Sequence, residues 1–378
     1  MARNTTLQIC QFGFVRCREL MFVTLDDVCE KGSSNLAQKD ILDLDGDFPI
    51  FGAAGYIGNV NFYHQEKPYL AVVKDGAGVG RVMLLPAKSS VIGTMQYIIP
   101  KEDIIVEYLY YAVKAMHLEK YYMGAAIPHI YFKDYKKEKL KIRSKIKQEQ
   151  IVARLDIIEK IINQQKQQLK NLEKLTKARF VEMFGEEKNK VKMVDICSII
   201  TDGTHESPKF VNEGIPFIFV SNISDNKIMY DADKYIDKAT YDVLIKRTPI
   251  EIGDIILSTV GSYGHPAVVK SDKKFLFQRH IAYLKPKREM VNSEYLHTMI
   301  MMDYVQHQIN LEVKGIAQKT LNLSAIKSLD VLMPSLSQQN EFAFFKIQVD
   351  KSKLPNISII YTLFVGMTYT LPGTLALY

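Results

Sequence analysis

QEQIVARLDIIEKIINQQKQQLKNLEKLTKARFVEMFGE, Gln148–Glu186, decides the fold. It lies in the middle of a chain otherwise rich in glycine turns and β-branched residues. Its apolar residues recur at Ile151, Leu155, Ile158, Ile162, Leu169 and Leu172, with Gln165 filling one seam position. Alternating steps of four and three make a heptad seam, which keeps one stripe facing a partner helix. Gly185 suits a left-handed C-terminal cap. At about 1.5 Å per residue the segment spans roughly 55 Å, and such a helix needs a surface against which to bury its stripe.

With 378 residues the chain exceeds what one core usually fills, so two domains are expected. Charged residues make up 24% and the net charge is +7, which permits nucleic acid without demanding it. The run KDYKKEKLKIRSKIK (Lys133–Lys147) holds eight Lys or Arg against two acids, which suits either a solvated face or phosphate contact. The four cysteines, at 10, 17, 29 and 197, form no CxxC pair, and no His cluster stands at ligand spacing. That pattern fits a reduced, cytoplasmic protein with no structural metal. The first twenty residues lack a continuous apolar core, so 1–20 reads as an N-terminal extension rather than a signal peptide. Leu354–Tyr378 carries no charged residue, and Pro372-Gly373 interrupts its apolar run. An altered tail is favoured there over a membrane anchor.

The chain also repeats itself. Gly124–Ile158 resembles Gly315–Val349 without gaps at an offset of 315 − 124 = 191, which pairs Ile130 with Leu321, Leu140 with Val331, Gln148 with Gln339 and Ile151 with Phe342. Upstream, Tyr108-Leu109 corresponds to Tyr295-Leu296, and VVKDGAGVGRVMLL (Val72–Leu85) to ILSTVGSYGHPAVV (Ile256–Val269). The expected fold is α+β, with two related mixed α/β units separated by long coiled-coil helices in a pseudo-twofold repeat. The expected boundaries are 21–145 for the first unit, 146–187 for the central helix, 190–336 for the second unit, 337–353 for a truncated second helix and 354–378 for the uncharged tail. Two helices that follow equivalent domains can pair antiparallel, but a helix ending near Lys353 leaves part of the first seam unpartnered. Such symmetry suits duplex DNA, whose half-sites repeat every turn of about 34–36 Å.

Taken together with FPIFGAAGYIG (Phe48–Gly58), TDGTHESPKF (Thr201–Phe210), IPFIFVSNIS (Ile215–Ser224), GDIILSTVGSYG (Gly253–Gly264), QEQIV and SLSQQNEF, this order of parts resembles the specificity subunit of type I restriction-modification systems. The resemblance covers residues 22–353. It implies two target recognition domains, spacer helices, no catalytic centre and no cofactor bound by this chain. It also implies two adenine-N6 methyltransferase subunits that use S-adenosylmethionine and flip the base, and motor and nuclease subunits that use ATP and Mg. The seam Ile151, Leu155, Ile158, Ile162, Leu169 and Leu172 becomes the expected spacer and subunit interface. The two units differ visibly: one carries GAAGYIG and GTMQ (Gly93–Gln96), the other DGTH and VSNI. Different readers imply an asymmetric, split target.

GAGVGRV lacks the Lys-Ser/Thr of a phosphate loop, so a glycine hairpin is expected, with Lys74 and Arg81 free to touch the DNA backbone. Thr204 and His205 can donate to phosphates or base edges, while Asp202 suits an Asx turn. Ser221 and Asn222, Thr94 and Gln96, Ser258, and the pair Arg279-His280 complete the DNA-binding candidates; Asn suits adenine and Arg suits guanine. One rival reading is a coiled-coil scaffold whose domains bind proteins, and salt-sensitive duplex binding separates the two; another is a truncated inactive or phase-variable specificity subunit. No nucleophile–base set, metal cluster or carboxylate pair points to an enzyme.

Overall fold

The computed structural model describes residues 21–41, 45–76, 78–124, 128–313 and 319–370, with side chains as far as Leu363. The extension 1–20, with Cys10 and Cys17, lies outside them. The chain divides into two compact units, one taking in residues up to Lys166 and from Ile357 onward, the other Gln167–Asn356.

In the first unit, strands Cys29–Ser33, Met95–Pro100, Tyr69–Val73 and Val82–Leu85 form an antiparallel sheet in that order. Every residue of YLAVV (Tyr69–Val73) is buried, because both faces of this strand are covered. Leu70 and Val72 pack with Tyr108, Leu109 and Ala112 of helix Val106–Lys114. Tyr69, Ala71 and Val73 pack on the other face with Val91, Met95 and Tyr97. The period-two alternation of a strand separates these two sets. A smaller sheet joins Gly55–Val60, Phe48–Gly52 and Ser90–Val91, the last pair parallel.

The second unit repeats this plan. Cys197–Asp202, Ile281–Pro286, Ile255–Ser258 and Pro266–Val268 form the antiparallel sheet, and Tyr235–Ile236, Ile215–Ile218 and Leu276–Phe277 the smaller one, again with a parallel last pair. Ile255 and Leu257 pack with Leu296, Met299 and Ile300 of helix Ser293–Met301, while Ile256 packs with Phe277 and Tyr283. Individual hydrogen bonds recur as well. Ile130 N–H donates to Lys74 O at 2.9 Å as Leu321 N–H does to Thr259 O at 2.8 Å; Gly76 N–H donates to Pro128 O as Gly261 N–H does to Lys319 O. These bonds, with Gly80 N–H on Val73 O and Gly264 N–H on Ser258 O, correct the register of the glycine hairpins by one residue: the offset is 259 − 74 = 185 before the turn and 264 − 80 = 184 after it, so the second turn is one residue shorter. Gly76, Gly78 and Gly80 all have positive φ, the conformation that this hairpin demands.

Each unit is tied to its long helix by a buried glutamine. Gln148 and Gln339, paired in the sequence repeat, are both fully buried. Gln148 accepts from Ile105 N–H at 2.9 Å and donates to the carbonyls of Asp103 and Arg143. Gln339 accepts from Asn292 N–H at 2.9 Å and donates to those of Met290 and Pro334. Ile105 and Asn292 begin the helices that cover the two sheets, so each glutamine fixes the start of a covering helix to the first turn of a long one.

The central helix runs Lys145–Phe184, and the C-terminal helix Leu336–Thr370. The second helix therefore does not end at Lys353. Pro355 removes one backbone donor but does not stop it. In the first unit Leu155 and Ile162 are buried, with Ile360 and Leu363 of the tail packed beside them. In the second unit Phe180 and Phe184 meet Phe342 edge-on at 5.2 and 5.8 Å. Among the described residues no helix is long and apolar enough to cross a membrane.

One buried group makes the second unit acid-sensitive. His297 lies within the core of that unit, and burial, followed by the Lys346 charge, pushes its pKa down to about 4. Glu294, Lys346 and Asp350 form an ion-pair chain there, joined by Lys270. The unfolded chain, with an ordinary imidazole near 6.5, binds a proton that the folded state refuses between pH 6.5 and 4. Stability is therefore complete above about pH 6.5 and falls as pH drops through that window, by up to ~1.4 kcal/mol per unit. Urea unfolding at pH 7 and pH 5 shows this loss, and His297→Gln reduces it.

Candidate nucleic-acid interface

In the second unit the loops at one end of the sheets converge. Thr204 bridges to Gln278 in parallel fashion, its N–H donating to Phe277 O at 2.9 Å and its carbonyl accepting from Arg279 N–H at 3.0 Å. Gly203 permits this approach, since a Cβ there would stand 2.3 Å from the Phe277 carbonyl oxygen. Thr204, His205, Arg279 and His280 are thereby brought together. The Arg279 Nε donates to His280 Nε2 at 3.4 Å, leaving the other ring nitrogen as a donor. Partial burial and the Arg279 charge hold the His280 imidazole below its ordinary pKa, hence neutral.

Asp202 makes no Asx turn. Its carboxylate instead binds His205 Nε2 at 2.9 Å and the guanidinium of Arg247, which also reaches Thr201 Oγ1 at 3.4 Å. Arg247 and His205 are about half exposed, while Asp202 is mostly covered, so a sheltered acid orients two exposed donors. Arg247 was not among the residues singled out in the sequence. It lies 45 residues from Asp202, outside any local motif, and only the fold supplies the pairing.

Other candidates serve the fold. Ser258 is 1% exposed, and its hydroxyl accepts from His265 N–H at 3.1 Å. Gln96 is buried and donates to the Gly32 and Tyr97 carbonyls. Thr94 Oγ1 is buried, and its carbonyl accepts from Lys74 N–H at 3.0 Å. Ser258 and Gln96 are buried and internally bonded, and the Thr94 hydroxyl is buried without a bond, so none of the three presents a side chain at the surface for a base edge. Asn222 is committed to its own turn, accepting from Phe219 N–H at 2.9 Å, while Ser221 beside it is exposed. In the first unit Arg81 is exposed and donates to Ala53 O at 3.1 Å, and Lys74 stands 4.0 Å from Asp75. Much of the basic run is likewise engaged: Lys136 pairs with Asp26, and Lys133 and Lys141 lie over Tyr131 and Phe22. Of the seam residues, Leu155 and Ile162 are interior, and Ile151, Ile158, Leu169 and Leu172 half-buried. The exposed apolar residues of the long helices are others, among them Ile157, Leu175, Val181 and Phe344.

Two sheet-and-helix domains of one topology, each anchored to a long helix and offering different donors at its loops, define a duplicated recognition protein. The chain belongs to the type I restriction modification DNA specificity domain family, whose pattern it matches twice, over residues 18–174 and 185–356. It is 28% identical over 131 residues to the type I restriction enzyme EcoBI specificity subunit of Escherichia coli, a match covering 35% of this chain and 27% of that protein. It is 24% identical over 158 residues to a putative type I restriction enzyme MjaX specificity subunit of Methanocaldococcus jannaschii, a match covering 40% of this chain and 37% of that protein. In both cases the similarity spans well under half of the relative. The fold is similar to that of the type I restriction-modification S subunit from M. genitalium, with a TM-score of 0.58, 13% identity and coverage of 97% of this chain and 99% of that one.

Proposed function

We propose that this chain is the DNA-specificity subunit of a type I restriction-modification complex, reading a split, asymmetric duplex target with its two domains. It performs no chemistry. Adenine-N6 methyltransferase subunits, with their S-adenosylmethionine, dock on the long helices, and the ATP- and Mg-dependent restriction subunits join them in the cytoplasm. The observation that carries this reading is the repeated topology with unlike loops: Lys74 and Arg81 stand at the hairpin of one domain, and Thr204, His205, Arg247, Arg279 and His280 at one end of the other. Equivalent scaffolds with different donors read different half-sites. Exposed Ile157, Leu175, Val181 and Phe344 give the long helices apolar surface for partner subunits.

Binding to duplex fragments over a salt series tests it. Log affinity falls linearly with log salt, and Lys74→Ala lowers the slope by about 1 while weakening all sequences alike. Asp202→Ala frees Arg247 and His205 and costs about 1–3 kcal/mol on the target but little on other duplexes. Salt-independent binding, or none, would return the chain to the scaffold reading.

A further inference from the structure

We infer that the first recognition unit carries a protein-docking groove that takes an extended, basic segment of a partner as an added strand. This goes beyond DNA reading and does not depend on it. The groove is shallow and open, offers about 450 Å³ and lies between the outer sheet strand Val82–Leu85, the Gly55-Tyr56 turn, helix Val106–Lys114 and the central helix.

Three features specify its occupant. The first is an open edge. Val82–Leu85 ends the four-stranded sheet, and among the described residues no further strand pairs with it. Its Leu84 is 38% exposed. An outer strand leaves a row of N–H and C=O groups free for strand addition. The second feature is the contrast with the other unit. The equivalent strand Pro266–Val268 is buried throughout and starts with a proline, and Ile228 of the Ile223–Ile228 hairpin packs on the cluster that contains Ala267. One copy of the repeat has its edge closed, the other does not.

The third feature is charge. Glu107, Asp156 and Glu159 line the groove in a chain of net charge +7. Only Glu159 is ion-paired, with Lys114 at 2.7 Å; the Tyr111 hydroxyl bonds Asp156 at 2.6 Å and Glu159 at 3.0 Å, fixing both carboxylates in place. Tyr56, 62% exposed, adds an aromatic face, while the Tyr110 ring is covered by the Lys114 ammonium at 5.0 Å. Lysine or arginine at alternate positions of an added strand meets these carboxylates and the Tyr56 ring, while its backbone completes the sheet.

The test uses the full chain and a fluorescent peptide of alternating lysine and valine, with a glutamate-valine peptide as control. Anisotropy is expected to report binding of the basic peptide alone, weakened tenfold or more by the combined Glu107→Gln, Asp156→Asn and Glu159→Gln changes. The single exposed change Leu84→Lys is expected to weaken it as well, and amide exchange at 82–85 slows when the peptide is added. Unaltered far-UV circular dichroism and urea-unfolding cooperativity show that the variants remain folded. No binding, equal binding of both peptides, unchanged affinity in the variants, or unslowed exchange at 82–85 would each overturn the proposal. Concentration-dependent self-association in light scattering that the groove variants abolish would assign the groove to a second copy and overturn it too.

Discussion

Replacing Leu155 with Asp unfolds the pairing between the central helix and the end of the C-terminal helix in the first unit. Leu155 is fully buried in a cluster with Tyr111 and Ile162, against which Ile360 and Leu363 pack. Removing the side chain alone costs about 2–5 kcal/mol. A carboxylate there adds desolvation of an unpaired charge, and Asp156 and Glu159 on the same helix repel it. The total is on the order of 5 kcal/mol, a large part of what a domain possesses. Limited proteolysis reads the effect as new cleavage between Ile357 and Thr370, whereas the second unit, 167–356, keeps its resistance. Leu155→Ala shows a smaller version of the same loss. An unchanged cleavage pattern in both variants would mean that the uncharged tail contributes nothing to the fold.

The second large effect is expected at Gln148. Its fully buried side chain bonds three part-buried backbone groups, the Ile105 N–H and the Asp103 and Arg143 carbonyls. Helix Val106–Lys114 has no side-chain cap of its own, so the glutamine oxygen serves at its start. Gln148→Ala leaves those groups without partners, at about 1 kcal/mol or more each and roughly 3 kcal/mol in all. Gln148→Glu is no remedy, because a carboxylate cannot donate to two carbonyls. Gln339→Ala is expected to cost less. Asn292 caps its own helix, bonding Glu294 N–H at 2.9 Å and Tyr295 N–H at 3.3 Å, so part of that helix start survives. Urea unfolding of the two variants checks the order; equal losses would show that the caps do not matter.

The glutamines also show how much of the molecule the sequence reveals. Their equivalence, the glycine hairpins and the heptad seam are local patterns, and periodicity or self-alignment finds each of them. What escapes is any property set by distant strands. Ser258, Gln96 and Thr94 read as DNA-binding candidates, yet Ser258 and Gln96 lie in the four-stranded sheets with their side chains bonded inside, and the Thr94 hydroxyl is buried in the turn before Met95. Arg247 reads as an ordinary surface cation until the fold sets it on Asp202. The tail misleads for a different reason. Pro355 and the loss of charge look like a helix stop, but packing of Ile360 and Leu363 beside buried Leu155 and Ile162 supports a helix that propensity alone would end.

Single-molecule methylation mapping tests the central claim most directly, using DNA from cells that express this chain with a type I methyltransferase subunit. The predicted result is N6-methyladenine in one split, asymmetric motif, with Arg279→Ala relaxing only the half read by the second unit. A continuous or symmetric motif, or methylation that does not change when the recognition loops are altered, would contradict the assignment of two unlike readers to this chain.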